Sequence, residues 1–320
     1  MSVLLIACSA VLAGARSFAA IGQWARNAPQ NTLARLGART TTVFRTRIAS
    51  GSATIRRVLN AVCPGGLADL LGADPAGVDT LAVDGKSARG SRPPTNPAAH
   101  LLAAMTGTGQ TVTQLRVPDK TNEITCFAAL LEPYDLAGLT VTADALHTQR
   151  EHARFLVEDK KAHYLLLVKA NQPGLFQQLS RVQATARRYD RETGHGRKET
   201  RTTRALTVTD LGLDFPHAVQ AAKILRHRTD LRSGKVTRQT VYALTDLTAR
   251  QASPQRLGQL ARSQWMIENR LHFDTIFTED ASKIRTGHGP GNMATLRSFA
   301  INQLRAAGHP NIPLDLLSLA

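Results

Sequence analysis

The chain is 320 residues long and carries 40 lysines and arginines against 24 aspartates and glutamates, a formal net charge of +16. That excess calls for a polyanion, of which nucleic acid is the commonest; apolar residues make up 42%, enough for a sizeable core, while no apolar run reaches the ~18 residues of a membrane span. Three scattered cysteines, Cys8, Cys63 and Cys126, exclude a disulfide scaffold and a cysteine zinc site and point to a reducing compartment, and aromatics at 5% favour phosphate contacts over base stacking.

Residues 1–65 are predicted to form a small helical, DNA-binding domain. The opening Met1-Ser-Val-Leu-Leu-Ile-Ala-Cys8 looks superficially like a signal peptide but lacks its positively charged leader, so a cytoplasmic, nucleoid-associated protein is expected. In residues 52–62, Ile55, Val58, Leu59 and Val62 share one helix face while Arg56 and Arg57 point away from it. That pattern suits DNA contact and fits a solvated surface helix equally well. Residues 64–77, opening on Pro-Gly-Gly, read as a linker.

An α/β domain is predicted over residues 78–307. Its first strand, Thr80-Leu-Ala-Val-Asp84-Gly-Lys86, ends in an aspartate, and residues 100–105 and 111–117 follow as an antiparallel hairpin. A helix over 122–132 leads to a βαβ unit: a strand from Leu139 ending at Asp144, a helix opened by a Thr148/Glu151 capping box, and an apolar strand Tyr164-Leu-Leu-Leu-Val168 ending at Lys169. Strand C-termini of such a unit share a ligand-binding crevice. Alone, Asp144 reads most simply as a helix cap and Lys169 as a solvated strand end; the matching acid at Asp84 turns the reading toward a site.

Residues 174–250 read as a β-rich insertion with an arginine-rich lead-in over 181–204, a run equally consistent with a solvated face and with DNA phosphate contact. Ser253 and Pro254 open the next helix, whose stripe through Leu257, Ala261 and Trp265 lands on Glu268 and His272. A glutamate on a core face needs compensation, from an arginine or from a metal shared with Asp84 and Asp144. Residues 291–307 form a closing amphipathic helix through Met293, Leu296, Ala300 and Leu304, and 308–320 a tail. The order is β-β-β-α-β-α-β-α.

Three carboxylates so placed suit a pair of magnesium ions, which take carboxylates, retained waters and substrate phosphate. Two such ions activate water and stabilise the leaving oxygen of a phosphodiester, and a freed 3′-hydroxyl in the same site converts hydrolysis into strand transfer. Lys86, Arg89 and Lys169 would neutralise phosphate charge.

The segments Val83-Asp-Gly-Lys-Ser-Ala-Arg-Gly90, Lys120-Thr-Asn-Glu-Ile124, Thr142-Ala-Asp-Ala-Leu-His-Thr-Gln149, Lys169-Ala-Asn-Gln-Pro173, Trp265-Met-Ile-Glu-Asn-Arg-Leu-His272 and Ile284-Arg-Thr-Gly287 resemble, in order, the bacterial insertion-sequence transposases of the DDE class, in the subgroup that includes the H-repeat-associated proteins. The resemblance implies a ribonuclease-H-like mixed sheet, with Asp84, Asp144 and Glu268 as catalytic and metal-binding acids for two Mg2+ ions, Mn2+ substituting. It implies double-stranded DNA, element ends and target, as the partner, with Lys86, Arg89, Lys169, Asn171, Asn269, His272, Arg56 and Arg57 as DNA contacts. Joining two ends implies a homodimer on DNA, away from any membrane. The chain departs from the subgroup in an abrupt start and in a segment between His272 and Glu279 about two residues short, with Phe273 in place of tryptophan. A decayed or truncated copy that only binds DNA is the alternative reading.

Overall fold

The computed structural model describes residues 2–41, 43–92, 97–181, 186–194, 196–208, 212–271, 277 and 279–309, with 186, 194 and 268–271 described by backbone alone. In chain order the elements are α1 (Ser2–Leu12), α2 (Phe18–Asn27), α3 (Gln30–Arg35), the short strands β1 (Arg39–Thr40) and β2 (Arg47–Ile48), α4 (Ser52–Ala61), α5 (Pro64–Leu71), β3 (Thr80–Ala88), β4 (Ala99–Thr106), β5 (Thr111–Val117), α6 (Glu123–Leu131), β6 (Thr140–Ala143), α7 (Arg150–Arg154, continued by a π turn over Phe155–Asp159), β7 (His163–Val168), α8 (Pro173–Arg181), β8 (Ala186–Gly194), β9 (Arg197–Thr207), β10 (Gln220–Asp230), β11 (Val236–Thr245), α9 (Pro254–Leu271) and α10 (Gly289–Ala306). The chain is mixed α/β and divides into two compact units, residues 1–74, 85–126 and 269–320 in the first and 75–84 and 127–268 in the second.

In the first unit the N-terminal helices gather around α10. Fourteen positions of α10 are buried, Gly289 to Leu304, so it is a central helix and not the amphipathic one its Met293–Leu304 stripe predicts. Two of its buried asparagines are held by backbone partners: Asn292 Nδ2 donates to the carbonyls of Leu59 (2.7 Å) and Val62 (2.9 Å), and Asn302 both accepts from Thr111 N (2.9 Å) and donates to Thr111 O (2.8 Å). The predicted linker is replaced by α5. Pro64 suits the first turn, and burial of Leu67 and Ala68 outweighs the cost of Gly65 and Gly66. The β4–β5 hairpin forms as expected, Leu102 facing Leu115.

The second unit is built on a mixed sheet in the order β3-β6-β7-β11-β10-β9-β8. Its first three strands are parallel, with Thr80–Val83 level with Thr140–Ala143 and these with His163–Leu166. The other four are antiparallel, Tyr242 pairing Val168. The arginine-rich lead-in is therefore largely strand, β8 and most of β9, in which charged residues fall on both faces where alternating apolar ones would usually mark a strand.

One face of this sheet is covered by α9, capped by Ser253 through Arg256 N (3.4 Å). Leu257, Leu260 and Ala261 pack on Leu165, Leu167, Ala222, Ile224 and Val241, each buried leucine contributing about 1.5–3 kcal/mol. The capping box at Thr148 is absent: Gln149 takes the N-cap position, and the Thr148 hydroxyl donates instead to the Leu167 carbonyl, tying the loop after β6 to β7.

Candidate active site at the ends of two parallel strands

Val83 and Ala143 are the last paired residues of β3 and β6, so Asp84 and Asp144 occupy equivalent positions one step further on. β3 does not end at Asp84, as the sequence predicts, but runs on to Ala88; only its pairing with β6 stops there. Side chains alternate across a strand, and Thr80 and Thr142 both face α9, accepting from Arg256 Nη2 (3.4 Å) and donating to Gln264 Oε1 (2.9 Å) respectively. Positions 84 and 144 fall in phase with them, on the face that α9 covers. Both aspartates are half-buried, and Asp144 Oδ1 accepts the Leu146 amide (2.8 Å), which turns the chain and fixes the carboxyl group.

Helix α9 is held in direction and register by its polar side chains. Arg256 reaches Asp79 (2.9 Å), and Gln264, 1% exposed, donates to Val83 O (2.9 Å) while accepting from Thr142. Eight helical residues advance about 12 Å and four strand residues about 13 Å. The helix thus runs alongside β3 toward its Asp84 end. Glu268 follows Gln264 by four residues, on the same face and about 6 Å further along. Its backbone is helical as predicted; its side chain and that of Asn269, together with all of His272 and of the shortened segment after it except Phe277, lie outside the described residues.

Lys169 follows β7 at the same end as Asp144, half-buried. Asn171 Nδ2 donates to Ala145 O (3.1 Å) and Gln172 to Thr148 O, so the loops after β6 and β7 are cross-tied. In the first unit, Lys86 pairs with the buried Glu279, which also accepts from Arg297 Nη1 (3.1 Å), and the exposed Arg89 lies 3.8 Å from Asp280. Lys86 is thus committed to an internal carboxylate. Arg56 and Arg57 are exposed on α4, as their spacing predicts.

Two residues escaped the sequence reading. Gln264 lies in an apolar stripe with nothing to mark it except being polar at a core position. Glu123 lies in a quoted motif but received no role; it pairs with His100 and sits against Gly85, where a Cβ would come 2.1 Å from its Oε2, so a larger residue there would displace the Glu123 carboxylate. Among the described residues no three histidine, cysteine, aspartate or glutamate side chains form a metal-binding group, and no helix is long and apolar enough to cross a membrane.

"Putative transposase YncI" of Escherichia coli O157:H7 is 31% identical over 242 residues, 71% of this chain and 62% of that protein. "H repeat-associated putative transposase YhhI" of Escherichia coli K12 is 28% identical over 248 residues, 71% of this chain and 64% of that one. The match thus spans a little over three fifths of the length of these curated relatives. The sugar N-methyltransferase KedS8 of Streptoalloteichus, a solved structure, matches at a TM-score of 0.17 and 16% identity over 39% of this chain and 46% of that one, too slight a likeness to bear on the fold. Residues 76–303, which contain both aspartates and the whole of α9, match the Transposase DDE domain, and the chain belongs to that family.

Proposed function

We propose that the chain is a DNA transposase that cleaves phosphodiester bonds at the ends of an insertion sequence and joins the freed 3′-hydroxyl to target DNA. Asp84, Asp144 and Glu268 are its catalytic acids, in a ribonuclease-H-like domain preceded by a helical DNA-binding domain. The observation that carries the reading is the register: two aspartates at equivalent positions, each one step past the last paired residue of adjacent parallel strands, on the face covered by the helix that bears Glu268.

The donor set fits magnesium, being hard carboxylate oxygens, of which those of Asp84 and Asp144 are half-buried. Asp84, Asp144 and Glu268 would hold the ions, which when bound lower the pKa of an attacking water or hydroxyl and offset charge on the leaving oxygen. The protein supplies position. Asp144 is fixed by the Leu146 amide, Gln264 holds α9 against both strands, and Lys169 brings a positive charge to the same end of the sheet, where a phosphate would gain charge as it reacts. Two element ends must meet, so the working form is a homodimer on DNA, in the nucleoid.

Asp144→Asn keeps the shape and hydrogen bonding of the side chain while removing its charge. The variant is expected to bind an element-end duplex like wild type and to lose magnesium-dependent cleavage; cleavage at the wild-type rate would remove Asp144 from the mechanism.

A further inference from the structure

The four antiparallel strands of the second unit have two chemically different faces. Among the described side chains of β8 to β11 there are four acids, Asp190, Glu192, Glu199 and Asp230. By the period of two, and by the registers Asp190↔Arg201, Glu199↔Arg228 and Asp230↔Arg197, all four lie on the face that packs against α9. There they are matched with cations: Glu199 pairs with Arg201, Arg226 (2.6 Å) and Arg228 (3.4 Å), and Glu192 with Arg201 (3.1 Å) and Arg262.

The opposite face has no acid. It carries Lys223, Arg204 and Arg187 side by side in one row across β10, β9 and β8, and Arg238, His227 and Arg191 in a second row, four residues further along the strands. Among the described residues none of these six is paired with a carboxylate; Lys223 lies over the Tyr242 ring at 5.7 Å, and four of the others are exposed arginines. Like charges directly opposite each other in a sheet cost stability. Ordinary solvated surfaces mix the signs, as the other face does; a face that separates them is complementary to an external polyanion.

Its length sets how much of the polyanion it can hold. β11 pairs with β7 only from Tyr242 onward, so Val236 and the five residues after it overhang the C-terminal end of β7, the end at which Asp144 lies. Six strand residues reach about 20 Å, the length of roughly six base pairs at 3.4 Å each.

We infer that this acid-free face of β8 to β11, on the side of the sheet opposite α9, is a docking surface for the phosphate backbone of duplex DNA, long enough for roughly six base pairs. The inference rests on the reading of the chain as a DNA transposase and adds to it a surface distinct from the carboxylates.

The test is metal-free binding of a fluorescent element-end duplex with its flank, followed by anisotropy across a salt series, for the full chain and three variants. The first is Arg187→Gln/Arg204→Gln/Arg238→Gln. The second carries three glutamines on the opposite face, Arg188→Gln/Arg197→Gln/Arg228→Gln, with the same net charge. The third replaces the first three arginines by lysine. Loss of three phosphate contacts predicts a slope of log affinity against log salt smaller by about 2.7, at roughly 0.9 per contact, and an affinity about tenfold lower, for the first variant alone; the lysine variant retains binding. Equal losses in both glutamine variants, or no loss in either, overturn the docking surface while leaving a DNA-binding transposase intact. Failure of the wild-type chain to bind the duplex overturns both.

Discussion

Gln264 Nε2 donates to the carbonyl oxygen of Val83 across 2.9 Å, so that a helix residue one turn before Glu268 is bonded to the strand residue one step before Asp84. Because Gln264 also accepts from Thr142, two residues before Asp144, one neutral side chain sets the helix against both aspartate-bearing strands.

Gln264→Leu removes both bonds and leaves Val83 O and the Thr142 hydroxyl buried without this partner. A loss of about 1–3 kcal/mol in stability is expected, with a fall in cleavage rate that persists under conditions where the variant is fully folded. Urea denaturation and cleavage at low temperature check the two parts. A destabilised variant with an unchanged rate would mean that Gln264 serves the fold only.

Glu279 is 4% exposed, accepts from Arg297 and pairs with Lys86. Burial pushes the Arg297 guanidinium below its ordinary pKa, and the Glu279 charge opposes that shift. Glu279→Leu strands a buried cation and is expected to destabilise by about 3–5 kcal/mol, read from urea midpoints. A change below about 1 kcal/mol would contradict an internal role for the pair and return Lys86 to the DNA-facing role its sequence position suggests.

Glu199 gives the pH prediction. Burial alone would raise its pKa, but the hydrogen bond from Arg226 and the charges of Arg201, Arg226 and Arg228 outweigh burial and hold the carboxyl below its ordinary 4.5. A carboxylate with a depressed folded-state pKa stabilises the protein above its unfolded pKa, and that contribution disappears as the pH falls through the folded value. Glu199→Gln is therefore expected to be less stable than wild type at pH 7, and the gap to close below about pH 4.5 and to narrow with added salt. A gap independent of pH would show that packing, not charge, accounts for the effect.

The strands leading to Asp84 and Asp144 were legible in the sequence because the apolar runs before both are short and unbroken, although β3 continues past Asp84 to Ala88. The hairpin and the helix carrying Glu268 were equally plain from turn residues and a proline-capped stripe. What was hidden depends on partners distant in sequence. Thr148 reads as a cap until the Leu167 carbonyl is seen to take its hydroxyl, and the Pro64-Gly-Gly start of α5 reads as a linker until Leu67 and Ala68 find a core. β8 carries charged residues at five of the six positions 187–192 and no alternation of hydrophobicity, so its strand character and the segregation of its faces emerge only from the register with β9.

The central claim, that Glu268 completes a site with Asp84 and Asp144, is tested most directly by nicking of a supercoiled plasmid carrying the element ends, with magnesium, by wild type and by Glu268→Gln. The account predicts magnesium-dependent nicking by wild type, abolished by EDTA, and at least about a hundredfold loss in the variant with duplex binding unchanged. Nicking by Glu268→Gln at the wild-type rate would contradict it.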